Sequence, residues 1–375
     1  MITIKQIQVF TPKDIGVKDV FIGGGKILEI GEGLELRGDV ISGKGQILVP
    51  GFIDHHVHVT GGGGEKGFSS RAPEVKYSDL VKAGITTVLG LLGTDGITRS
   101  IENLVAKLYA LREQGLSAWG FTGSYRYPSP TLTGDIEKDI AFIDPIIGTK
   151  IALSDHRSSN LSTEDLALLA TETRIGAMIG NKAGKVIVHM GDGRNHLKKI
   201  LEITEVTDLP MGIFHPTHCN RNDTLLEESL EFLKMGGSID LTCNISNRRP
   251  AEVIKKAIRK GIPTKRITIS SDGGGSYSTY DDRGNLETIG ISSVSSLLEE
   301  FQWMIRNDWT VEEALPYFTL HPAHCLKLKE KGQIKAEKDA DLLLLNQEMK
   351  ITNVIARGKL LMREGELLDL DRKEY

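Results

Sequence analysis

The middle of this chain, residues 50–329, alternates strand-like runs with helix-like segments, and this alternation restricts the possible folds more than any other feature. Strands separated by helices run parallel in one sheet, because each helix returns the chain to the end where the previous strand began. The eight strand candidates are Phe52–His58, Thr86–Leu92, Ala118–Gly123, Lys150–Asp155, Lys185–Met190, Met211–His215, Ser238–Cys243 and Ile267–Asp272. The pattern predicts an α/β fold, a (β/α)8 TIM-type barrel over residues 50–329. A doubly wound open sheet is the alternative that the pattern leaves open.

The two ends of the chain have a different pattern, in which strand-like runs are joined by tight turns. In residues 1–49, Gly23–Gly25 separates two apolar runs, as in a β-hairpin. Residues 330–375 repeat this pattern around Arg357 and Gly358. The two ends therefore predict one small β-sandwich-like domain beside the barrel, built from residues 1–49 and 330–375.

The composition is that of a globular protein and argues against several classes of function. Of 375 residues, 39% are hydrophobic and 26% are charged, and the net charge of −4 gives no basic excess for binding nucleic acid. We find neither a secretory signal nor an apolar run of about 20 residues, so we expect no membrane partner. The three cysteines have no paired spacing, which is typical of a reducing compartment and predicts a cytoplasmic protein.

Residues of metal-binding type recur at the ends of the predicted strands. His56 and His58 are two residues apart on a strand, so their rings face the same side. Alone, this pair fits a metal site and a surface pair of histidines about equally well. The fifth strand ends at His189, the sixth leads to His218, and the eighth ends at Asp272. Active-site groups of a barrel come from these strand ends, so the recurrence predicts one shared site, and its size suits two metal ions.

Lys150, at the start of the predicted fourth strand, has two interpretations. Inside a barrel, loss of hydration lowers the pKa of a lysine, and its neutral amine reacts with carbon dioxide to give a carbamate that bridges two cations. Alternatively, Lys150 is a structural residue whose ammonium group extends to the rim. The residue pattern alone leaves both interpretations open.

Several segments carry a resemblance to a known family. They are Pro50–His58, Gly61–Pro73, Gly90–Asp95, Ile151–Arg157, Val188–Asp192, Pro216–Arg221 and Ser270–Ser276. These segments resemble the amidohydrolase superfamily, and most closely its isoaspartyl (β-aspartyl) dipeptidase branch, through the barrel and into both β-rich ends. The strings Gly61–Glu65 and Gly90–Asp95 are more selective for this branch than the His-x-His pair.

The resemblance implies a metallo-dipeptidase that uses zinc to hydrolyse the isopeptide bond of β-aspartyl (isoaspartyl) dipeptides. The implied cofactors are two Zn²⁺ ions per subunit, the first held by His56, His58 and Asp272, the second by His189 and His218, with carbamylated Lys150 and a hydroxide bridging them. Asp272 would also act as general base and general acid. Tyr125 would donate a hydrogen bond to the oxygen of the scissile carbonyl group.

The charges of such a substrate match further residues of this sequence. A β-aspartyl dipeptide carries one ammonium and two carboxylate groups near the scissile bond, so its site needs about one anion and two cations. The resemblance implies that Glu65 binds the ammonium group, assisted by Thr94 and Ser276. It implies that Arg157 and Arg221 each bind a carboxylate. It also implies a homo-oligomer, an octamer.

Two other functions fit these residues less completely. A cyclic-amide hydrolase of the dihydroorotase or hydantoinase type would share the metal ligands, but it does not need Glu65 together with two arginines. A non-catalytic scaffold of the same fold typically loses metal ligands, whereas every ligand position is filled here.

The remaining histidines receive structural interpretations. His55 should point away from the ligand pair that follows it. His215 competes with His218 as a ligand, and the resemblance favours His218. His321 lies at a predicted helix start, and His196 lies in a charged helical stretch where we expect it to be solvated.

Overall fold

The computed structural model describes residues 1–243, 245–281 and 285–368. Its strands are β1 (Ile2–Phe10), β2 (Asp14–Gly23), β3 (Lys26–Gly31), β4 (Asp39–Ser42), β5 (Ile47–Pro50), β6 (Phe52–Val57), β7 (Ile85–Gly90), β8 (Ser117–Gly123), β9 (Ile146–Leu153), β10 (Lys185–Met190), β11 (Phe214–Thr217), β12 (Ile239–Thr242), β13 (Ile267–Ser270), β14 (Ser276–Tyr280), β15 (Leu286–Ile291), β16 (Leu342–Leu345), β17 (Ile351–Ala356), β18 (Lys359–Arg363) and β19 (Glu366–Leu367). Its α-helices are α1 (Tyr77–Lys82), α2 (Ile101–Glu113), α3 (Ile136–Phe142), α4 (Thr163–Gly180), α5 (Lys198–Val206), α6 (Asp223–Lys234), α7 (Pro250–Arg259), α8 (Ser296–Arg306), α9 (Val311–Ala314) and α10 (Leu320–Cys325). Residues 369–375, which the predicted small domain includes, lie outside the described residues.

Strands from both ends of the chain lie side by side in one sheet. This nine-stranded sheet has the order β19-β18-β17-β16-β5-β1-β2-β3, with β4 paired to β1. The two chain ends meet between β5 and β16, where Leu48 and Leu344 are antiparallel partners. The division of the chain into two domains stays a prediction.

Alternation along β16 gives this sheet two apolar faces. Leu342 and Leu344 pack with Ile4 in a core on one face of the sheet. Leu343 belongs to the large core that includes Phe52. Successive side chains of a strand point to opposite faces, so consecutive leucines serve both cores. Burial of the second face therefore fastens the terminal sheet to the rest of the chain.

The central strands form a curled parallel sheet. Six of them pair in the order β11-β10-β9-β8-β7-β6, and β12 pairs with β13. Just after β11, the backbone N–H of Cys219 donates to the carbonyl oxygen of Asp240 in β12, at 3.1 Å. Just after β6, the N–H of His58 donates to the carbonyl oxygen of Gly273, which follows β13, at 2.8 Å. The carboxyl ends of these strands thus lie around one open end of the curled sheet, which we call its mouth.

Helices cover the outer face of the curled sheet. Leu104 of α2, Leu166 of α4 and Leu226 of α6 pack into one core with strand residues such as Val88 and Val186. A separate apolar cluster includes Ile53, Leu89, Phe121, Ile187, Ala323 and Leu326. Polar groups at the strand ends therefore rest on a packed support. In the described part of the chain, no helix has the length and apolar character needed to cross a bilayer.

Each predicted strand has a counterpart, but two predicted starts are wrong. β9 begins at Ile146 rather than at Lys150, because the buried run before the lysine continues the strand, so Lys150 lies in the strand interior. β11 begins at Phe214 rather than at Met211, since Met211–Ile213 form a 3₁₀ turn.

Candidate metal and substrate site

The carboxyl ends of β6 and β13 bring two histidines and an aspartate together. Nε2 of His56 lies 3.5 Å from Oδ1 of Asp272, and Nε2 of His58 lies 3.3 Å from the same oxygen. One ligand atom from each of the three lies within 4.8 Å of the other two. Asp272 Oδ1 and both Nδ1 atoms are buried without a hydrogen-bond partner among the described residues. Two imidazoles and a carboxylate are zinc ligands by type, so this set fits a metal ion.

Glycines make room for these side chains. A Cβ atom at Gly93 would lie 2.7 Å from Cε1 of His58. A Cβ atom at Gly275 would lie 2.7 Å from Oδ1 of Asp272. Real Cβ atoms essentially never come this close to another atom, so packing around the ligands requires glycine at these two positions.

Lys150 lies beside this set. Its side chain is fully buried in β9, and Nζ lies 3.1 Å from Nε2 of His56. The structural interpretation requires the ammonium group to extend to the rim, and it does not, because the side chain is buried. Burial lowers the pKa of Lys150 to about 7, because the charged form loses its hydration. A large share of the neutral amine therefore exists near neutral pH, and this is the form that carbamate formation needs.

His189 and His218 extend the row of imidazoles across the mouth. The ring centroid of His218 lies 4.9 Å from that of His56 and 4.7 Å from that of His189. Nδ1 of His218 is hydrogen-bonded to Oγ1 of Thr242 at 2.7 Å, so Nε2 is its nitrogen for a metal. Burial lowers the pKa of all three histidines well below the ordinary value. The rings are therefore neutral, as metal-binding imidazoles must be.

Asp155, just after β9, is a site residue that our sequence reasoning missed. Its Oδ2 lies 2.9 Å from Nε2 of His189. Arg157 donates to both carboxylate oxygens, through Nε at 2.9 Å and through Nη2 at 2.7 Å. Burial alone would raise the pKa of Asp155, but hydrogen bonds with Arg157 and His189 hold it well below its usual range. The sequence did contain a signal for Asp155, because it stands at the end of a predicted strand and a carboxylate is a usual partner of a metal-binding histidine.

Tyr125 contacts the same histidine from the other side. Since the Asp155 carboxylate only accepts, Nε2 of His189 carries the proton, and Nδ1 accepts from the Tyr125 hydroxyl at 2.6 Å. Nδ1 is thus the ring atom of His189 whose lone pair could bind a metal, in exchange for its hydrogen bond with Tyr125. Burial raises the pKa of Tyr125, so this hydroxyl keeps its proton and remains a hydrogen-bond donor.

Four of the predicted substrate-binding residues form one hydrogen-bonded group. Nη1 of Arg157 lies 3.2 Å from Oε1 of Glu65 and 3.3 Å from Oγ1 of Thr94. Ser276 donates to the same Glu65 oxygen at 2.7 Å. The Glu65 side chain is only 4% exposed, and its Oε2 has no hydrogen-bond partner within the described ranges. A buried, unpaired carboxylate oxygen is suited to accept from an ammonium group.

Arg221 lies at a cleft next to the ligand set. The cleft has a volume of about 590 Å³ and is also lined by His218, Asp272 and Ser276. Nη1 of Arg221 lies 3.4 Å from Oδ2 of Asp192, whose side chain is exposed. An exposed ion pair contributes little stability. Arg221 can therefore exchange this partner for a carboxylate in the cleft.

Among the remaining histidines, the prediction for His196 is wrong. Its side chain is buried, and Nδ1 lies 3.1 Å from Oε1 of Glu228. The reason is contact with distant parts of the chain, because His196 lies just before α5 and its N–H donates to Oγ of Ser154 at 2.9 Å. His321 has the structural contact expected of it, donating from Nδ1 to the carbonyl oxygen of Ile267 at 3.0 Å.

Known proteins are similar to this chain in sequence and in fold. The sequence profile of the amidohydrolase family matches residues 47–361. The crystal structure of a β-aspartyl dipeptidase from Fervidobacterium islandicum AW-1, in complex with a β-Asp-Leu dipeptide, is 42% identical, with 99% of this chain and 100% of that chain covered and a TM-score of 0.95. A second structure of β-aspartyl dipeptidase from this organism has 40% identity, the same coverage and a TM-score of 0.91. A dihydroorotase from Listeria monocytogenes is 21% identical, with 94% of this chain and 90% of its own length covered.

The profile match and the identity along the whole chain show that this chain belongs to the amidohydrolase family. Within that family, the resemblance to the β-aspartyl dipeptidase branch is confirmed by both solved structures. The prediction that the chain is an enzyme, a hydrolase, is confirmed with it.

Replacing Gly93 with alanine is expected to displace the His58 ring, because the new Cβ would lie 2.7 Å from Cε1. We expect zinc affinity to fall about 10-fold or more, as it does when the orientation of a ligand is disturbed. The measurement is competition for zinc with a chromophoric chelator. Gly212→Ala is the matched control, since its added Cβ meets nothing within 4 Å. An equal effect in both variants, or none in Gly93→Ala, contradicts the packing argument.

Proposed function

We propose that this chain hydrolyses the isopeptide bond of β-aspartyl (isoaspartyl) dipeptides in a zinc-dependent reaction. The observation that carries the proposal is that Arg157 bonds to Asp155, which holds the candidate ligand His189, and also to Glu65. Residues of metal-binding type are thus joined directly to residues that match the substrate charges. The two similar structures, both of β-aspartyl dipeptidases, support the same activity.

The proposed cofactor is a pair of zinc ions. Their proposed ligands are His56, His58 and Asp272 for the first ion, His189 and His218 for the second, and carbamylated Lys150 as a bridge. When bound, the ions would supply a hydroxide nucleophile near neutral pH and would polarise the scissile carbonyl group. The neutral buried imidazoles and the low pKa of Lys150 support this assignment.

Asp272 and Tyr125 are the proposed catalytic residues. Asp272 borders both the histidines and the cleft, so its carboxylate is placed to take a proton from the attacking water and to deliver it to the leaving amine. The Tyr125 hydroxyl, which keeps its proton because of burial, would donate to the carbonyl oxygen as negative charge develops there.

The charge pattern assigns the substrate groups. Oε2 of Glu65 would accept from the substrate ammonium group, with Thr94 and Ser276 holding the Glu65 side chain and its neighbour Arg157 in place. Arg221 would bind one carboxylate in bidentate fashion, and Arg157 would bind the other through Nη1, in exchange for part of its contacts with Glu65 and Thr94. A cyclic amide such as dihydroorotate offers no ammonium group for Glu65, so the geometry favours the dipeptide.

Four further assignments complete the proposal. The eight central strands close into a (β/α)8 barrel of residues 50–329, supported by the hydrogen bonds that join β11 to β12 and β6 to the end of β13. Residues 1–49 and 330–375 form the small β domain, supported by their shared sheet. The protein is a cytoplasmic homo-octamer. Its three free cysteines agree with a reducing compartment.

A substrate panel tests the activity itself. Zinc-loaded protein is expected to cleave β-Asp-Leu, to leave α-Asp-Leu largely intact, and to leave dihydroorotate and hydantoin unchanged. Of these compounds, only β-Asp-Leu combines the ammonium and carboxylate groups with an isopeptide bond. Amine release and ring opening are measured side by side. Turnover of the cyclic amides alone would contradict the dipeptidase assignment, and no turnover of any compound would favour a non-catalytic scaffold.

Asp272→Asn is expected to lower kcat for β-Asp-Leu by about 10²–10⁴-fold, because the amide has the shape of the carboxylate but cannot carry the proton. Circular dichroism should show an unchanged fold. Asp208→Asn, which makes the same change on the surface, is the control and should retain normal kcat. Near-normal turnover in Asp272→Asn would reject Asp272 as the proton carrier.

Lys150→Ala is expected to lose the zinc bound at the strand ends and its activity, because the bridging ligand is gone. Acetate or propionate should restore part of both by occupying the space beside His56. Lys150→Met fills that space without supplying an oxygen ligand, so the same acids should not rescue it. Unchanged zinc content in Lys150→Ala, measured by mass spectrometry, would contradict the carbamate.

A further inference from the structure

A second group of metal-binding side chains lies one level below the first, inside the curled sheet. It consists of His55 of β6, His215 of β11, Asp240 of β12 and Thr268 of β13, all at most 1% exposed. The ligand atoms of the two histidines and the aspartate lie within 4.8 Å of one another. The proposed dipeptidase reaction uses none of these residues.

The four polar atoms of this group have the spacing of a tetrahedral metal site. The separations are 3.3 Å between the two Nε2 atoms, 3.1 Å from His55 Nε2 to Asp240 Oδ1, 3.1 Å from Thr268 Oγ1 to each Nε2, and 2.9 Å from Thr268 Oγ1 to Asp240 Oδ1. A tetrahedral zinc with bonds of about 2.0–2.1 Å keeps its ligands about 3.3 Å apart. Five of the six separations are therefore close to those that such an ion needs, and the ligand atoms of His215 and Asp240 lie within 4.8 Å of each other.

Hydrogen bonds can occupy only part of these close contacts at one time. The Thr268 hydroxyl supplies one proton and each Nε2 supplies at most one, so at most three of the five contacts are hydrogen bonds. A cation between the four atoms would instead engage all of them, since each atom can direct a lone pair at it.

Neighbouring side chains orient these groups as they do around known metal ions. Oγ of Ser238 lies 3.0 Å from Nδ1 of His215, so the opposite nitrogen faces the group. Ser270 donates to Oδ2 of Asp240 at 2.7 Å, which leaves Oδ1 to point inward. Such outer partners fix the orientation of histidine and carboxylate ligands.

The group also lies where the hydrogen-bonding between strands is thinnest. β12 and β13 form a pair of their own, outside the continuous ladder from β6 to β11. The four side chains come from β6, β11, β12 and β13, so a bound ion would span both gaps beside that pair.

We propose that His55, His215 and Asp240, with the Thr268 hydroxyl, bind a structural zinc ion that is separate from the ions at the strand ends. Two imidazole nitrogens and a carboxylate oxygen form a ligand set suited to zinc. The ion would tie the paired strands β12 and β13 to their neighbours on both sides. Because its ligands are closed to solvent, we expect the ion to be incorporated during folding.

The test counts zinc per chain by mass spectrometry in protein from zinc-supplemented cultures. His215→Leu and His55→Gln are expected to contain about one zinc less than the wild type. His324→Gln, which removes an exposed histidine, is the matched control and should keep the full content. Lys150→Ala is expected to retain about one zinc, so failure of the strand-end assignment is distinguishable from failure of this one.

Two results would overturn the interior site. Circular dichroism first identifies which of the variants His215→Leu and His55→Gln is folded. The first contradicting result is a folded variant that contains as much zinc as the wild type. The other needs no variant. Native wild-type protein dialysed against dipicolinate should keep about one zinc until it is unfolded in guanidinium, and complete loss from the native protein would count against a closed site.

Discussion

The ion pair between Arg157 and Asp155 connects the two halves of the candidate active site. Asp155 accepts from Arg157 on both oxygens and also holds His189, while Arg157 extends to Glu65. Breaking a buried pair leaves the remaining charge without a partner, which costs about 3–5 kcal/mol. The orientation of a proposed metal ligand and the position of the proposed ammonium-binding carboxylate therefore depend on one interaction. Glu65 and His189 are thus joined by a chain of direct contacts through Arg157 and Asp155.

The sequence predicted the strands well where burial and periodicity agree, and less well where they do not. β6 and β10 were found because each is a short run of apolar residues with a histidine near its end. The start of β9 was missed because a lysine is normally exposed, whereas Lys150 is buried in the strand interior. A charged residue is therefore a poor marker of a strand boundary where the fold buries it.

The site was predictable in its residue types but not in its contacts. Histidines and an aspartate recur at strand ends, which is visible from the sequence alone, and the structure brings these side chains together. The role of Asp155 depends on His189, which lies in the next strand of the chain, so the place of Asp155 at a strand end is visible in the sequence but this contact is not. The burial of His196 has the same origin, since its partner Glu228 lies on another helix. Pairings between distant segments are what sequence periodicity leaves out.

The interior of the curled sheet has an apolar part and a polar part. Ile53, Leu89 and Phe121 fill one part with apolar side chains, whereas His215 and Asp240 place polar groups inside another. Buried polar groups are costly unless each finds a partner, and the polar part is also where the strand ladder is interrupted. A cation bound there would engage these polar atoms and tie the strands together across the interruption. The polar residues below the active site are then part of what holds β12 and β13 in position, and with them Thr242, which orients His218.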